Sequence, residues 1–276
     1  MSLRALGVLL SAVLGATLVV APAAAAAVTP SAVDFSGTVA LSDCSGALVK
    51  VASASAGDPA LVLSNGHCYE GGFPAPGQVL VDRPSTRTFG LLSADGQQRL
   101  ATLRATKLAY ATMTDTDVSL YQLSTTYGQI QQQYGIGALE IAAVHPAQGT
   151  AIKVVSGYWK KIYSCDIDGF VYRLKEADWI SKDSIRYTPS CDTIGGTSGS
   201  PIVDAATGKV IGVNNTGNEA GERCTENNPC EIDQNGTVTV RQGINYGQQT
   251  YLLAACMTGS RVDLTLAGCQ LPKPAR

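Results

Sequence analysis

Eight cysteines constrain the fold of this chain more than any other feature of its sequence. All of them follow an N-terminal segment in which Arg4 precedes a mostly apolar run over residues 5–20 and an alanine-rich end at residues 21–27. This order of parts is typical of a secretory signal peptide. We therefore expect residues 1–27 to be removed and residues 28–40 to form an N-terminal segment or a short propeptide. An uncleaved membrane anchor is the alternative.

In an exported chain, an even number of cysteines predicts four disulfides. The sequence does not determine which cysteines pair, and we take nearest neighbours as the working assignment because each such pair closes a short loop. The assumed pairs are Cys44–Cys68, Cys165–Cys191, Cys224–Cys230 and Cys256–Cys269. A zinc site is the competing interpretation, but it needs clustered ligands and the chain has only 2 histidines.

Charge and hydropathy narrow the range of partners. The formal net charge is −2 and there is no basic run, so we do not expect nucleic acid to bind. No segment after the signal is long and apolar enough to span a bilayer, so we expect a secreted, extracellular protein without a membrane contact. A monomer is expected.

The rest of the chain has the pattern of an all-β protein. Short runs rich in aliphatic and β-branched residues alternate with turn signals such as Asp95-Gly96 and Asn235-Gly236. Repeated short strands predict a sandwich or a barrel. The polar stretch 125–135 is interpreted as a connection between two halves, and only residues 248–256 have helical character.

Ser198 is the best candidate for a nucleophile. It lies in the run Gly195–Pro201, where glycines allow a sharp turn that exposes the hydroxyl. The same glycines allow successive backbone N–H groups, here those of Gly196 and Ser198, to form an oxyanion hole.

A serine hydroxyl needs a base, and the base needs an acid to orient it. His67 follows an apolar strand and precedes Cys68, which gives it a rigid support, whereas His145 lies in a loop and is expected to be a surface residue. Asp117 directly precedes an alternating strand and is the favoured acid. Asp115 is its rival, two residues earlier on the same face.

Four motifs occur in a fixed order along the chain: Cys44–Val49, Gly66–Cys68, Asp117–Leu120 and Gly196–Pro201. Together they resemble the first-strand, histidine, aspartate and serine motifs of the chymotrypsin/trypsin family of serine peptidases. The resemblance implies two perpendicular six-stranded antiparallel β-barrels with a C-terminal helix. It places the peptidase domain at residues 41–272, with an N-terminal barrel at about 41–124 and a C-terminal barrel at about 136–247.

Two departures from the family's pattern, and one further agreement with it, bear on activation and specificity. Thr197 replaces the aspartate that in animal members pairs with a newly freed N-terminus, so that activation route is not expected here. The serine motif is similar to that of bacterial glutamyl endopeptidases, but residues 211–216 lack the histidine implied for glutamate recognition. Asp192 stands at the same distance before Ser198 as the aspartate of the trypsin pocket. It predicts a preference for substrate Arg or Lys, with a solvated loop aspartate as the alternative.

The resemblance implies a secreted serine endopeptidase that hydrolyses polypeptides through an acyl-enzyme. Its triad would be His67, Asp117 and Ser198, and no metal or organic cofactor would be needed. Two alternatives remain: a catalytically inert binding protein on the same fold, and an esterase that uses the same acyl chemistry.

Overall fold

A computed structural model describes residues 32–275 of the chain. The predicted signal peptide, residues 1–27, lies outside the described residues. The described part contains eighteen strands and two helices, which confirms the all-β class. The two helices there have 8 and 4 residues and are too short to cross a bilayer.

The first half of the chain forms a closed antiparallel barrel. Its strands are β1 (Thr38–Ala40), β2 (Ser45–Lys50), β3 (Pro59–Ser64), β4 (Val79–Pro84), β5 (Thr88–Leu92), β6 (Arg99–Thr112) and β7 (Val118–Thr126). Six of them pair in the circular order β1-β5-β6-β7-β3-β2, and β2 pairs again with β1. The remaining strand, β4, pairs with the second half of β6.

Residues 125–135 connect the two halves, and they contain a helix that was not predicted. Helix α1 (Tyr127–Tyr134) begins with a capping box of Thr126 and Gln129 and ends at Gly135, with φ 71°. The Tyr127 hydroxyl donates to the carbonyl of Val49 over 2.7 Å and anchors the helix to the first barrel. The expectation that only residues 248–256 are helical was wrong because a short helix that buries only Tyr127 and Ile130 shows little apolar periodicity.

The second half forms a second closed barrel. Its strands and the short elements around it are β8 (Leu139–Glu140), β9 (Ala151–Ser156), β10 (Lys161–Glu176), β11 (Trp179–Tyr187), β12 (Pro201–Asp204), β13 (Val210–Gly217), β14 (Cys230–Ile232), β15 (Val238–Val240), β16 (Asn245–Gln249), α2 (Tyr251–Ala254), β17 (Met257–Thr258) and β18 (Arg261–Val262). Six strands pair antiparallel in the circular order β11-β16-β13-β12-β9-β10, and β10 pairs again with β11. The two six-stranded antiparallel barrels implied by the resemblance are therefore confirmed. The predicted helix at residues 248–256 is only the four residues of α2, because β16 extends to Gln249.

Alternate residues of the buried strands face different cores. In β3, Ala60 and Val62 pack inside the first barrel, whereas Leu61 and Leu63 pack in a cluster that also contains Val203 of the second barrel. Successive side chains of a strand point to opposite faces, so a strand between two cores must be apolar on both. These continuous apolar runs hold the barrels together and fix the cleft between them.

Four disulfides stabilise the fold. The bonds join the nearest-neighbour pairs Cys44–Cys68, Cys165–Cys191, Cys224–Cys230 and Cys256–Cys269. The tail after α2 returns to the first barrel. Leu271 in this tail is buried in the cluster between the barrels. The carbonyl of Pro272 accepts a hydrogen bond from the Tyr110 hydroxyl over 3.0 Å.

Candidate active site

His67 is held on a rigid turn at the edge of the first barrel. The turn after β3 leads directly into His67, and the next residue, Cys68, is bonded to Cys44. The side-chain amide of Asn65, in the same turn, donates to the backbone carbonyl of Asp117 over 2.8 Å. The turn is therefore fastened to the chain just before β7.

Asp117 is buried, with 4% of its surface exposed, and it binds His67 twice. Its Oδ2 lies 2.7 Å from His67 Nδ1, and its Oδ1 accepts the backbone N–H of His67 over 3.0 Å. Burial lowers the pKa of His67, but the charge of Asp117 and its hydrogen bond, together with the charges of Glu176 and Asp43, raise that pKa by more. The net pKa of His67 therefore lies above the ordinary value of 6.5.

Gly66 makes this close approach possible. A Cβ at Gly66 would lie 2.2 Å from the carbonyl oxygen of Thr112 and 3.0 Å from Asp117 Oδ1. The first distance is far inside van der Waals contact, so a larger residue would push the histidine turn away from the aspartate.

Asp115, the rival acid, has another partner. Its carboxylate lies 2.7 Å from Lys182 Nζ, and its backbone N–H and carbonyl bond to Ile180 and Lys182 of β11. Asp115 therefore joins the two barrels, and Asp117 alone binds His67.

Ser198 lies in the loop before β12 and borders the same cavity as His67 and Asp117. Its hydroxyl donates to the carbonyl of Asn215 over 3.2 Å, and no hydrogen bond joins it to His67. Its own carbonyl accepts the backbone N–H of Ser45 over 2.7 Å, which ties the loop to the first barrel. The structure thus brings the three predicted residues to one cavity, with the serine hydroxyl bonded to a neighbouring carbonyl.

The backbone N–H groups predicted for the oxyanion hole are available. Among the described residues, neither the N–H of Gly196 nor that of Ser198 has a hydrogen-bond acceptor. The preceding carbonyl, that of Gly195, accepts the indole Nε1–H of Trp159 over 2.7 Å. In a trans peptide the C=O and N–H point in opposite directions. The indole bond therefore directs the Gly196 N–H away from Trp159.

Two buried serines support this arrangement. Ser45 Oγ donates to the Gly196 carbonyl over 3.2 Å and lies 3.1 Å from Ser156 Oγ. Ser156 Oγ in turn accepts the backbone N–H of Trp159 over 3.2 Å. Trp159 and Gly196 are thus held by a common set of bonds.

Thr197 occupies the position of the family's aspartate and is nearly fully buried. Its hydroxyl donates to the carbonyl of Ile194 and accepts from the Asn214 amide over 3.1 Å. Local groups therefore satisfy this side chain, and the loop before Ser198 is ordered without an ion pair at Thr197.

Asp192 does not reach the cavity beside Ser198. It is exposed, whereas its neighbours Cys191 and Thr193 are buried, as expected for an extended segment with alternating faces. Thr193 instead borders a small cavity next to Ser198, which we call the Thr193 cavity, and donates to Asn245 Oδ1 over 2.8 Å. Asp192 therefore gives no support to a basic preference, because the inward position carries a neutral hydroxyl.

A larger pocket also borders the three residues, and we call it the Glu176 pocket. It is lined by Glu176, Phe73, Met113, Leu174 and Trp179 in addition to His67, Asp117 and Ser198. Sequence reasoning missed Glu176 and Trp159. Neither belongs to a recognisable motif, and both reach the site from hairpin turns of the second barrel.

His145 lies away from this cavity, as predicted. Its Nε2 is 3.1 Å from a carboxylate oxygen of Asp183, and its ring centroid lies 4.3 Å from that of Phe170. These contacts give it a structural partner on the second barrel.

Residues 44–213 match the family model described as a trypsin-like peptidase domain. This range covers more than half of the chain and includes His67, Asp117 and Ser198. No curated protein matches the sequence.

Several solved bacterial structures have a similar fold. The MamO protease domain of Magnetospirillum magneticum aligns with a TM-score of 0.50 and 11% identity, over 82% of this chain and 97% of that one. A Nocardiopsis protease aligns with a TM-score of 0.44 and 10% identity, over 79% of this chain and 92% of that one. The chymotrypsin of Cellulomonas bogoriensis aligns with a TM-score of 0.42 and 13% identity, over 79% and 91%. At these identities the likeness concerns the fold alone.

Proposed function

This chain belongs to the family of trypsin-like serine peptidases, and we propose that it is a secreted endopeptidase with His67, Asp117 and Ser198 as its catalytic triad. The substrate would be a polypeptide. Secretion is supported by the N-terminal leader and by four disulfides, which persist in oxidising compartments.

The observation that carries the proposal is the bond between Asp117 and His67. Because Nδ1 is held by the buried carboxylate, Nε2 is the nitrogen left to exchange a proton with Ser198. A raised pKa makes the imidazole a stronger base and stabilises the cation that forms when it accepts the proton.

The reaction would follow in two halves. Ser198 Oγ attacks the substrate carbonyl while His67 takes its proton, and the N–H groups of Gly196 and Ser198 stabilise the oxyanion. His67 then protonates the leaving amine. Water, deprotonated by the same imidazole, cleaves the acyl-enzyme.

One rearrangement must precede the attack. The hydroxyl of Ser198 donates to the Asn215 carbonyl in the structure, so it must exchange this bond for one to His67. Catalytic hydrogen bonds commonly tighten only when substrate binds.

The test is covalent labelling of the purified protein with a fluorophosphonate probe, followed by mapping of the modified residue. We expect phosphonylation of Ser198 with release of fluoride, because an activated serine hydroxyl attacks phosphorus as it attacks a carbonyl. Cleavage of casein and of a matched ester and amide pair then separates an endopeptidase from an esterase, which would hydrolyse the ester only.

Three variants serve as controls. Ser198→Ala and Asp117→Asn should lose labelling while they keep the melting temperature of the wild type within a few degrees, and Asp115→Asn should keep most of its labelling. A folded wild-type protein that neither labels nor cleaves would support the inert binding protein instead.

A further inference from the structure

The Glu176 pocket contains a carboxylate that is paired with no Lys or Arg of the described residues. Glu176 ends β10, and its Oε1 accepts the backbone N–H of Asn227 over 2.8 Å. No Lys or Arg of residues 32–275 forms an ion pair with it, and no Lys or Arg lines the pocket. Burial raises the pKa of Glu176 more than its hydrogen bonds and the charge of His67 lower it, so a cation in the pocket would relieve an unfavourable charge.

The walls of the pocket are apolar and aromatic. Phe73 and Trp179 meet edge to face with ring centroids 5.9 Å apart, and Trp179 Nε1 donates to the carbonyl of Pro74 over 2.9 Å. Met113 and Leu174 complete the apolar lining. Such walls suit the methylene stem of a long side chain, and aromatic rings attract a cation.

The pocket also lies beside a free strand edge. On the side of β13 that faces β12, backbone bonding continues to Asn214, which bonds to Gly199 and Ser200. Beyond it, Asn215 and Thr216 line the pocket. An extended peptide can add to such an edge by main-chain hydrogen bonds, with its side chains entering pockets alternately. Two cavities border Ser198 here, so a substrate that fills the Thr193 cavity with one side chain can place another in the Glu176 pocket.

We propose that the Glu176 pocket is a substrate subsite that selects a Lys or Arg side chain, held by the Glu176 carboxylate, at a position other than the residue in the Thr193 cavity. This inference rests on the proposed peptidase function. It moves the basic preference from Asp192, which is exposed, to a carboxylate that the cavity itself contains.

The experiment is a positional scan with fluorogenic peptides. A sequence that the enzyme cleaves is varied at each of the three positions on either side of the scissile bond, with lysine, norleucine or glutamate. Norleucine has the same stem as lysine without the charge. We expect kcat/KM to be at least tenfold higher for lysine than for norleucine at one position, and lower for glutamate than for either.

Glu176→Gln should reduce the lysine-to-norleucine ratio of kcat/KM to less than about twofold. Asp178→Asn is the matched control. Asp178 lies on the same hairpin turn, is exposed and does not line the pocket, so its loss should leave the ratio unchanged. In Glu176→Lys the preference should reverse to glutamate, and fluorophosphonate labelling of each variant shows that its site is formed.

Two results would overturn the inference. One is an enzyme that labels and cleaves but shows no cationic preference at any scanned position. The other is a preference that survives in Glu176→Gln. In both cases the peptidase function stands, whereas a protein that neither labels nor cleaves removes both proposals.

The lysine-to-norleucine ratio of kcat/KM should also fall at low pH, because Glu176 is then protonated and loses its charge. Three other titratable groups face the pocket: His67, Asp117 and the exposed Glu226. The lysine and norleucine peptides use the same His67–Asp117 pair, so its titration cancels in their ratio. In Glu226→Gln, the lysine-to-norleucine ratio should fall around the same pH as in the wild type. If the ratio no longer falls at low pH in this variant, the effect belongs to Glu226 instead.

Discussion

The hydrogen bond from the Trp159 indole to the Gly195 carbonyl predicts how Trp159→Phe changes the catalytic rate. Phenylalanine keeps an aromatic ring at this site and removes the only N–H of residues 32–275 that holds the Gly195–Gly196 peptide from outside its loop. Two consecutive glycines rotate more freely than any other pair of residues. Without the indole bond, the Gly196 N–H should therefore spend less time directed toward the oxyanion.

The size of the effect follows from the exposure of the bond. Trp159 is 49% exposed, so water competes for the carbonyl and the bond is worth about 0.5–1 kcal/mol. Converted to a ratio, this is roughly a two- to fivefold fall in kcat/KM. Complete loss of one oxyanion donor would cost about 10²- to 10³-fold, which sets the upper limit.

The assay is steady-state hydrolysis of one peptide together with the rate of fluorophosphonate labelling. Both rates should fall, with the loss in kcat and little change in KM, because the donor acts on the transition state. Tyr158→Phe is the control, since it keeps the ring whose centroid lies 4.9 Å from that of Trp159. Unchanged rates, or a rise in KM alone, would show that the indole bond does not orient the oxyanion donor.

Two further predictions concern the histidine turn. Asp117→Asn should lower kcat/KM by about 10⁴-fold. Its remaining activity should rise with pH around a lower midpoint than in the wild type, since the charge that raises the pKa of His67 above 6.5 is gone; Asp115→Asn should leave that midpoint in place. Gly66→Ala should lower both the melting temperature and the labelling rate, because its methyl carbon would lie 2.2 Å from the Thr112 carbonyl oxygen. A fully active, fully stable Gly66→Ala protein would mean that the turn can move away at no cost.

The parts of the site that sequence patterns predict are those fixed by local motifs. His67, Asp117 and Ser198 each adjoin a strand end with a recognisable flank, and the strand patterns place them in an all-β frame. Helix α1 could also have been found, because Thr126 and Gln129 have the spacing of a capping box. The polar composition of the segment hid that signal.

Residues that reach the site from another part of the chain have no recognisable sequence motif. Trp159 and Glu176 act through hairpin turns whose position depends on how β9, β10 and β11 close the second barrel. For Asp192, the sequence identified the segment but not the direction of the side chain. Counting back from Ser198 gives the correct segment, but the alternation of an extended chain turns Thr193 inward and Asp192 to solvent.

The return of the tail to the first barrel makes the two halves depend on one segment. Leu271 is buried in the cluster between the barrels, and the Pro272 carbonyl is bonded to Tyr110 of β6. A chain that lacks residues 270–275 would therefore expose apolar surface between its halves. We expect such a chain to be cut more readily by other proteases, although no residue that lines the cleft has been removed.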